Sequence, residues 1–200
     1  MKVLVTAFEP FGGETINSSL EALRRLPPRV GALEVVTAEL PTSYARSIPA
    51  LEAAIADARP GLVLCTGQAA DRAALCVERV AVNLQDAHIP DNDGLQPADA
   101  AVVPGGPAAY LATLPVRSVV AALRAADLPA QVSMSAGTFV CNHVFYGLMH
   151  LAGRRTPAFR AGLLHVPALP GQAAGQAGGM PLESIVLAVC TVVEAAVKDG

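Results

Sequence analysis

Two hundred residues, 52% hydrophobic and only 16% charged, exclude a disordered chain and suit one domain with a real core. Fourteen basic residues against 17 acidic ones leave a net charge of -3. No half of the chain is strongly basic, which excludes a nucleic-acid footprint. The longest strictly apolar run, Ile185–Cys190, falls far short of the roughly 20 residues a membrane helix needs, so no membrane partner is expected.

In chain order, Lys2–Phe8 reads as a strand. The start Met-Lys-Val-Leu-Val-Thr opens that strand and lacks the pattern of an export signal, so a cytoplasmic location is expected. Asn17–Leu26 reads as a helix, capped by Asn17 or Ser18 with Glu21 in its first turn. Leu33–Leu40 is a second strand. Ser43–Ala58 is helical, with Pro49 kinking it or marking its true start. Gly61–Thr66, Glu78–Leu84, Gln131–Ser135 and Arg160–Val166 complete a set of about six strands. Helices are predicted over Val116–Ala126, Phe139–Ala152 and Leu182–Val197, the last with Pro181 as its first residue. Such alternation predicts an α/β domain with a mostly parallel sheet covered on both faces, in one unit over residues 1–200.

Two stretches break the pattern. Gln85–Pro115 is a long connection rich in Pro and Gly, and Gly171–Gly179 is rich in Gly, Gln and Ala. Both are candidate borders of a site, because parallel sheets bind ligands outside the carboxyl ends of their strands.

The four cysteines, Cys65, Cys76, Cys141 and Cys190, form no Cys-x-x-Cys pair, and no Cys/His cluster has zinc-ligand spacing. Free thiols are expected, and neither a metal nor another cofactor. Cys141 differs from the rest. A strand leads through Ser135-Ala136-Gly137 into a helix, with Thr138 as the predicted cap and Cys141 in the first turn. Unpaired N–H groups and the helix dipole there favour a thiolate and could hold an oxyanion. The same position also suits a thiol buried under the helix. His165 ends an apolar strand just before a Pro-punctuated loop, where it could serve as a thiol's base or sit as a core histidine. His143 and His150 share one helix but have no evident third ligand. Alternation places Glu78 with Val80, Val82 and Leu84 on one face. A carboxylate there needs a partner. Arg79 or Arg72 would make it structural; an imidazole would make it the orienting member of a triad. In Phe8-Glu9-Pro10-Phe11-Gly12-Gly13 the glycines fit no phosphate-binding pattern, and the two Phe residues suggest an apolar wall or a rigid turn.

Together, Phe8-Glu-Pro-Phe-Gly-Gly-Glu14, Leu40-Pro-Thr42, Gly67-Gln68, Glu78-Arg-Val80, Ile89-Pro-Asp-Asn92, Ser135-Ala-Gly-Thr-Phe-Val-Cys-Asn-His143 and His165-Val-Pro167 resemble the motifs of the pyroglutamyl peptidase I family. The motifs run in family order over nearly the whole chain. The resemblance implies a three-layer α/β/α sandwich and a cytoplasmic cysteine peptidase, usually a homotetramer. Such an enzyme removes N-terminal pyroglutamate from peptides through a thioester, without a metal. It implies Cys141 as nucleophile, His165 as base and Glu78 as the residue orienting it. Phe8, Phe11, Thr42, Gln68, Ile89, Phe139 and Val140 would line the pocket for the lactam ring. There are departures. His88 stands where the family usually has Arg, a position implied to contact the oxyanion. Ala70-Asp71 stands where Gly-Gly is usual, and Ser18 follows Asn17 where Pro is usual.

Overall fold

Strand β1 (Lys2–Phe8) is apolar almost throughout. Successive side chains of a strand face opposite ways. Val3, Val5 and Ala7 therefore enter one core, and Leu4 and Phe8 the other. A strand buried on both faces needs a layer on each side. The computed structural model, which describes residues 1–154, 158–172 and 179–198, supplies both layers.

Helix α1 (Ser18–Leu23) is capped by Asn17, whose Oδ1 accepts from the Ser19 N–H at 3.0 Å. It stops short of the predicted Leu26 because Pro27-Pro28 cannot continue it. A two-residue strand, β2 (Arg29–Val30), follows, then β3 (Leu33–Leu40). Helix α2 (Ser47–Ala58) begins later than the predicted Ser43 and carries Pro49 in its first turn, where no intrahelical N–H bond is lost. Strand β4 (Leu62–Gln68) comes next.

The predicted strand Glu78–Leu84 is two elements. β5 (Leu75–Glu78) belongs to the main sheet, and β6 (Val80–Val82) pairs with β7 (Ala109–Leu111) in a separate ribbon. The chain changes sheets at Arg79, whose N–H bonds the Ser133 carbonyl and whose carbonyl accepts from Ala112. Glu78 therefore does not share a face with Val80, Val82 and Leu84 as the alternation implied. After β7 come α3 (Val116–Ala125), β8 (Ala130–Ser133), α4 (Val140–Ala152), β9 (Arg160–Val166) and α5 (Leu182–Lys198). Pro181 precedes α5 and accepts from the Ile185 N–H at 3.1 Å.

The main sheet has seven strands in the order β2-β3-β1-β4-β9-β5-β8. Neighbours run parallel except β2 with β3 and β5 with β9. On one face Leu20, Leu23, Val119, Leu123, Ile185 and Val189 of α1, α3 and α5 form a continuous core. On the other, α2 and α4 contribute Leu51, Ile55, Val144 and Phe145. This is the three-layer α/β/α arrangement.

The long connection after residue 84 is pinned. The buried Asp91 carboxylate accepts from the N–H groups of Tyr44 (2.8 Å), Asp93 (2.9 Å) and Leu95 (2.8 Å). The Gly171–Gly179 stretch lies mostly outside the described residues, which exclude 173–178.

Candidate active site

Strands β5 and β9 run antiparallel, with Glu78 opposite Leu163. His165 is then one diagonal step from Glu78 on the same face, within reach of a carboxylate. Its Nδ1 lies 2.8 Å from Glu78 Oε1. An ionised carboxylate only accepts, so Nδ1 carries the hydrogen and Nε2 is left for another partner.

That partner is set by α4. Its N-cap is Phe139, without a side-chain cap bond, and not the predicted Thr138. Thr138 Oγ1 donates instead to the Asp86 carbonyl at 2.7 Å. Cys141 occupies the first turn and is half-buried. The next residue anchors the turn: Asn142 accepts from the Val82 N–H (3.0 Å) and donates to the carbonyls of Val82 (2.9 Å) and Leu84 (3.0 Å). As expected, a strand leads through Ser135-Ala136-Gly137 into the helix: β8 runs alongside β5, opposite to β9, and residues 134–139 carry the chain on to α4.

Gly67 of β4 pairs with His165 of β9. A Cβ on Gly67 would stand 2.9 Å from Cys141 Sγ and 3.5 Å from His165 Nε2. Sulfur and imidazole thus converge over the one position in the strand with no side chain, a close approach that only glycine admits. Burial works against a charged His165. The side chains of Cys141 and Glu78 outweigh that cost and push its pKa up to about 9. Cys65 shows the opposite case: burial pushes its thiol up to about 12.

Beside the sulfur is a small recess lined by Phe8, Phe11, Thr42, Gln68, Phe139 and Val140, with Asn17 at its edge. The rings of Phe11 and Phe139 stand 5.7 Å apart. Ile89, also expected there, does not line the recess; its Cδ1 sits against Gly12. Sequence reasoning assigned no role to Glu9. Its carboxylate accepts from Thr42 N–H (3.0 Å) and Asn92 Nδ2 (2.9 Å), tying three of the quoted motifs together. Gln68 is held by its Oε1, which accepts from the Ser18 N–H at 2.6 Å. The recess opens into a cleft of about 570 Å³ that reaches His165, Arg72 and the exposed His88, whose ring stands 5.7 Å from that of Phe139. Of the partners the sequence offers Glu78, namely Arg79, Arg72 or an imidazole, the structure engages two: Arg72 Nη1 donates to Oε1 at 2.6 Å, beside His165 Nδ1. Among the described residues no group of three or more His, Cys, Asp or Glu could hold a metal ion.

The family model for pyroglutamyl peptidase matches residues 1–199. The pyrrolidone-carboxylate peptidase of Gloeobacter violaceus is 52% identical, covering 92% of this chain and 89% of its own. Pyrrolidone-carboxylate peptidase 1 of Ralstonia nicotianae is 47% identical over 98% of this chain and 93% of its own. Among solved structures, pyroglutamyl peptidase I from Bacillus amyloliquefaciens superposes with a TM-score of 0.95 at 43% identity, covering 99% of this chain and 96% of that one. With this match extending from end to end, Cys141 and His165 converging over Gly67, and Glu78 on the other nitrogen of the imidazole, the chain belongs to the pyroglutamyl peptidase family.

Proposed function

We propose that this protein hydrolyses the bond after an N-terminal pyroglutamyl residue of a peptide, with Cys141 as nucleophile, His165 as acid and base, and Glu78 orienting the imidazole. The observation that carries the reading is the meeting of Cys141 Sγ and His165 Nε2 over Gly67, beside an apolar recess. A pyroglutamyl terminus is a neutral lactam without an ammonium group. It suits a recess walled by Phe8, Phe11, Phe139 and Val140, with Thr42 and Gln68 as polar partners.

With the ring in the recess, the carbonyl that follows it faces the sulfur. Transfer of the thiol proton to His165 Nε2 makes the thiolate, and the raised affinity of this imidazole for a proton supports that transfer. Sγ attacks the carbonyl carbon, and the oxygen takes the negative charge beside the uncapped N–H groups of α4. Collapse breaks the C–N bond while His165 gives its proton to the departing amine. Water then loses a proton to His165 and attacks the thioester. The C–S bond breaks, releasing pyroglutamate and regenerating the thiol and imidazole pair.

The same reading extends to a single catalytic domain, a cytoplasmic location and a homotetramer. Among the described residues no helix is long and apolar enough to cross a membrane. Exposed Leu111 and Met134 are candidates for a subunit contact.

The test uses a reporter amine on a pyroglutamyl amide, with plain alanyl and prolyl amides beside it. Release from the first alone is expected. Release should stop on thiol alkylation and in Cys141→Ser, and should survive chelators. A fully active Cys141→Ser removes the nucleophile assignment, and equal release from all three amides removes the lactam specificity. Sedimentation of the purified protein tests the tetramer.

A further inference from the structure

Glu78 is fully buried, and its two oxygens are used unequally. Oε1 accepts from both His165 Nδ1 and Arg72 Nη1, while the buried Oε2 has no hydrogen-bond partner among the described residues. A buried carboxylate is costly without a counter-charge. His165 is not a constant one, because the reaction proposed above takes its proton away in each half. Arg72 stays charged throughout. It stands on the turn after β4, held by its own N–H on the Ala69 carbonyl at 3.1 Å, and its side chain lines the catalytic cleft. The other arm of the guanidinium, Nη2, donates to the Ser135 carbonyl at 2.9 Å, and Nη1 lies 3.4 Å from Ser133 Oγ. Ser135 is on the segment that leads from β8 into the nucleophile's helix. One rigid fork therefore joins the carboxylate behind the base to the approach to the nucleophile, a task for guanidinium geometry that an ammonium cannot reproduce.

We propose that Arg72 is a positioning residue for the reaction: it gives the buried Glu78 carboxylate a permanent counter-charge, aims one oxygen at His165, and braces the segment that sets Cys141. This inference rests on the peptidase reading, and its test separates the two. The titratable groups facing Glu78 are His165 on β9, Arg72 on the turn, Cys76 on its own strand and, beyond the imidazole, Cys141 on α4.

Two profiles are measured against pH in wild type, Arg72→Met and Arg72→Lys: turnover of a pyroglutamyl amide, and the rate at which iodoacetamide alkylates Cys141. Arg72→Met is expected to lower kcat by about tenfold to a hundredfold with KM changed less than about threefold. The acid limb of both profiles should move to higher pH, because a buried carboxylate stripped of its fixed cation is harder to keep charged. Arg72→Lys should return the acid limb to its wild-type position without restoring kcat. Unchanged kcat and unchanged profiles in Arg72→Met overturn the proposal. If wild type fails to turn over the amide, the peptidase reading falls, and the alkylation profile still decides Arg72 by shifting or not. If Arg72→Met does not fold, Arg72→Lys decides alone: reduced kcat with a wild-type acid limb supports the proposal, and wild-type kcat overturns it.

Discussion

His165 and His143 are both buried, and their surroundings drive them in opposite directions. At the carboxyl end of β9, His165 meets Glu78 on one nitrogen and Cys141 near the other, and its pKa rises to about 9. On α4, two residues past the nucleophile, His143 has no hydrogen-bond partner among the described residues on either nitrogen and stands edge-on to Tyr44, with ring centroids 5.3 Å apart. Burial pushes it down to about 4. Removal from water alone makes a neutral packing ring; removal from water together with a carboxylate and a thiol makes a base. Sequence distance from Cys141 would rank the two the other way.

Removing the carboxylate should break the contrast most severely. Glu78→Gln is expected to cost on the order of 10² to 10⁴ in kcat/KM. The amide can present its NH₂ to Nδ1 and so favour the wrong tautomer. Titration of His165 by NMR should show its proton affinity falling; an unmoved titration means that Glu78 does not set it.

Gly67→Ala tests the meeting point itself. The added methyl would lie 2.9 Å from Cys141 Sγ and must displace the sulfur from its place beside the imidazole. A loss of about a hundredfold in kcat, with the melting temperature nearly kept, is expected. Wild-type kcat in this variant means that the two groups need not touch there.

His88 extends the comparison to a histidine exposed at the cleft. Replacing it with Arg adds a fixed cation near the sulfur and is expected to raise kcat by roughly tenfold, since one oxyanion donor is worth up to about 10². An unchanged rate shows that His88 serves as well as the usual Arg.

The last effect is on stability rather than on rate. His143 binds a proton more weakly folded, near 4, than unfolded, near the ordinary 6.5. Its contribution is present above about pH 6.5 and lost as pH falls toward 4, roughly 3 kcal/mol in all. His165 acts with the opposite sign: its contribution is present below about 6.5 and lost as pH rises through about 9. His143→Phe should flatten the acid side of a melting-temperature profile and leave the alkaline side alone. An unaltered acid slope places the sensitivity elsewhere.

The sequence alone determined a good deal. The strand-forming runs Lys2–Phe8, Leu33–Leu40 and Arg160–Val166, each rich in Val and Leu, dictated β1, β3 and β9 to the residue. The quoted motifs singled out Cys141, His165, Glu78 and most of the recess, because a thiol, an imidazole, a carboxylate and clustered Phe residues are recognisable by type. Alternation left the partner of Glu78 open between an arginine and an imidazole, and only the tertiary structure brings it to both Arg72 and His165. Glu78 comes from the antiparallel neighbour of β9 and is the last residue of its strand, and the chain leaves for the ribbon at Arg79. Alternation along one strand cannot announce such a change of sheet. Gly67 and Arg72 gained their meaning in the same way. A missing side chain matters only when two others close over it, and a guanidinium braces two segments only after β4, β5 and β8 have been brought together.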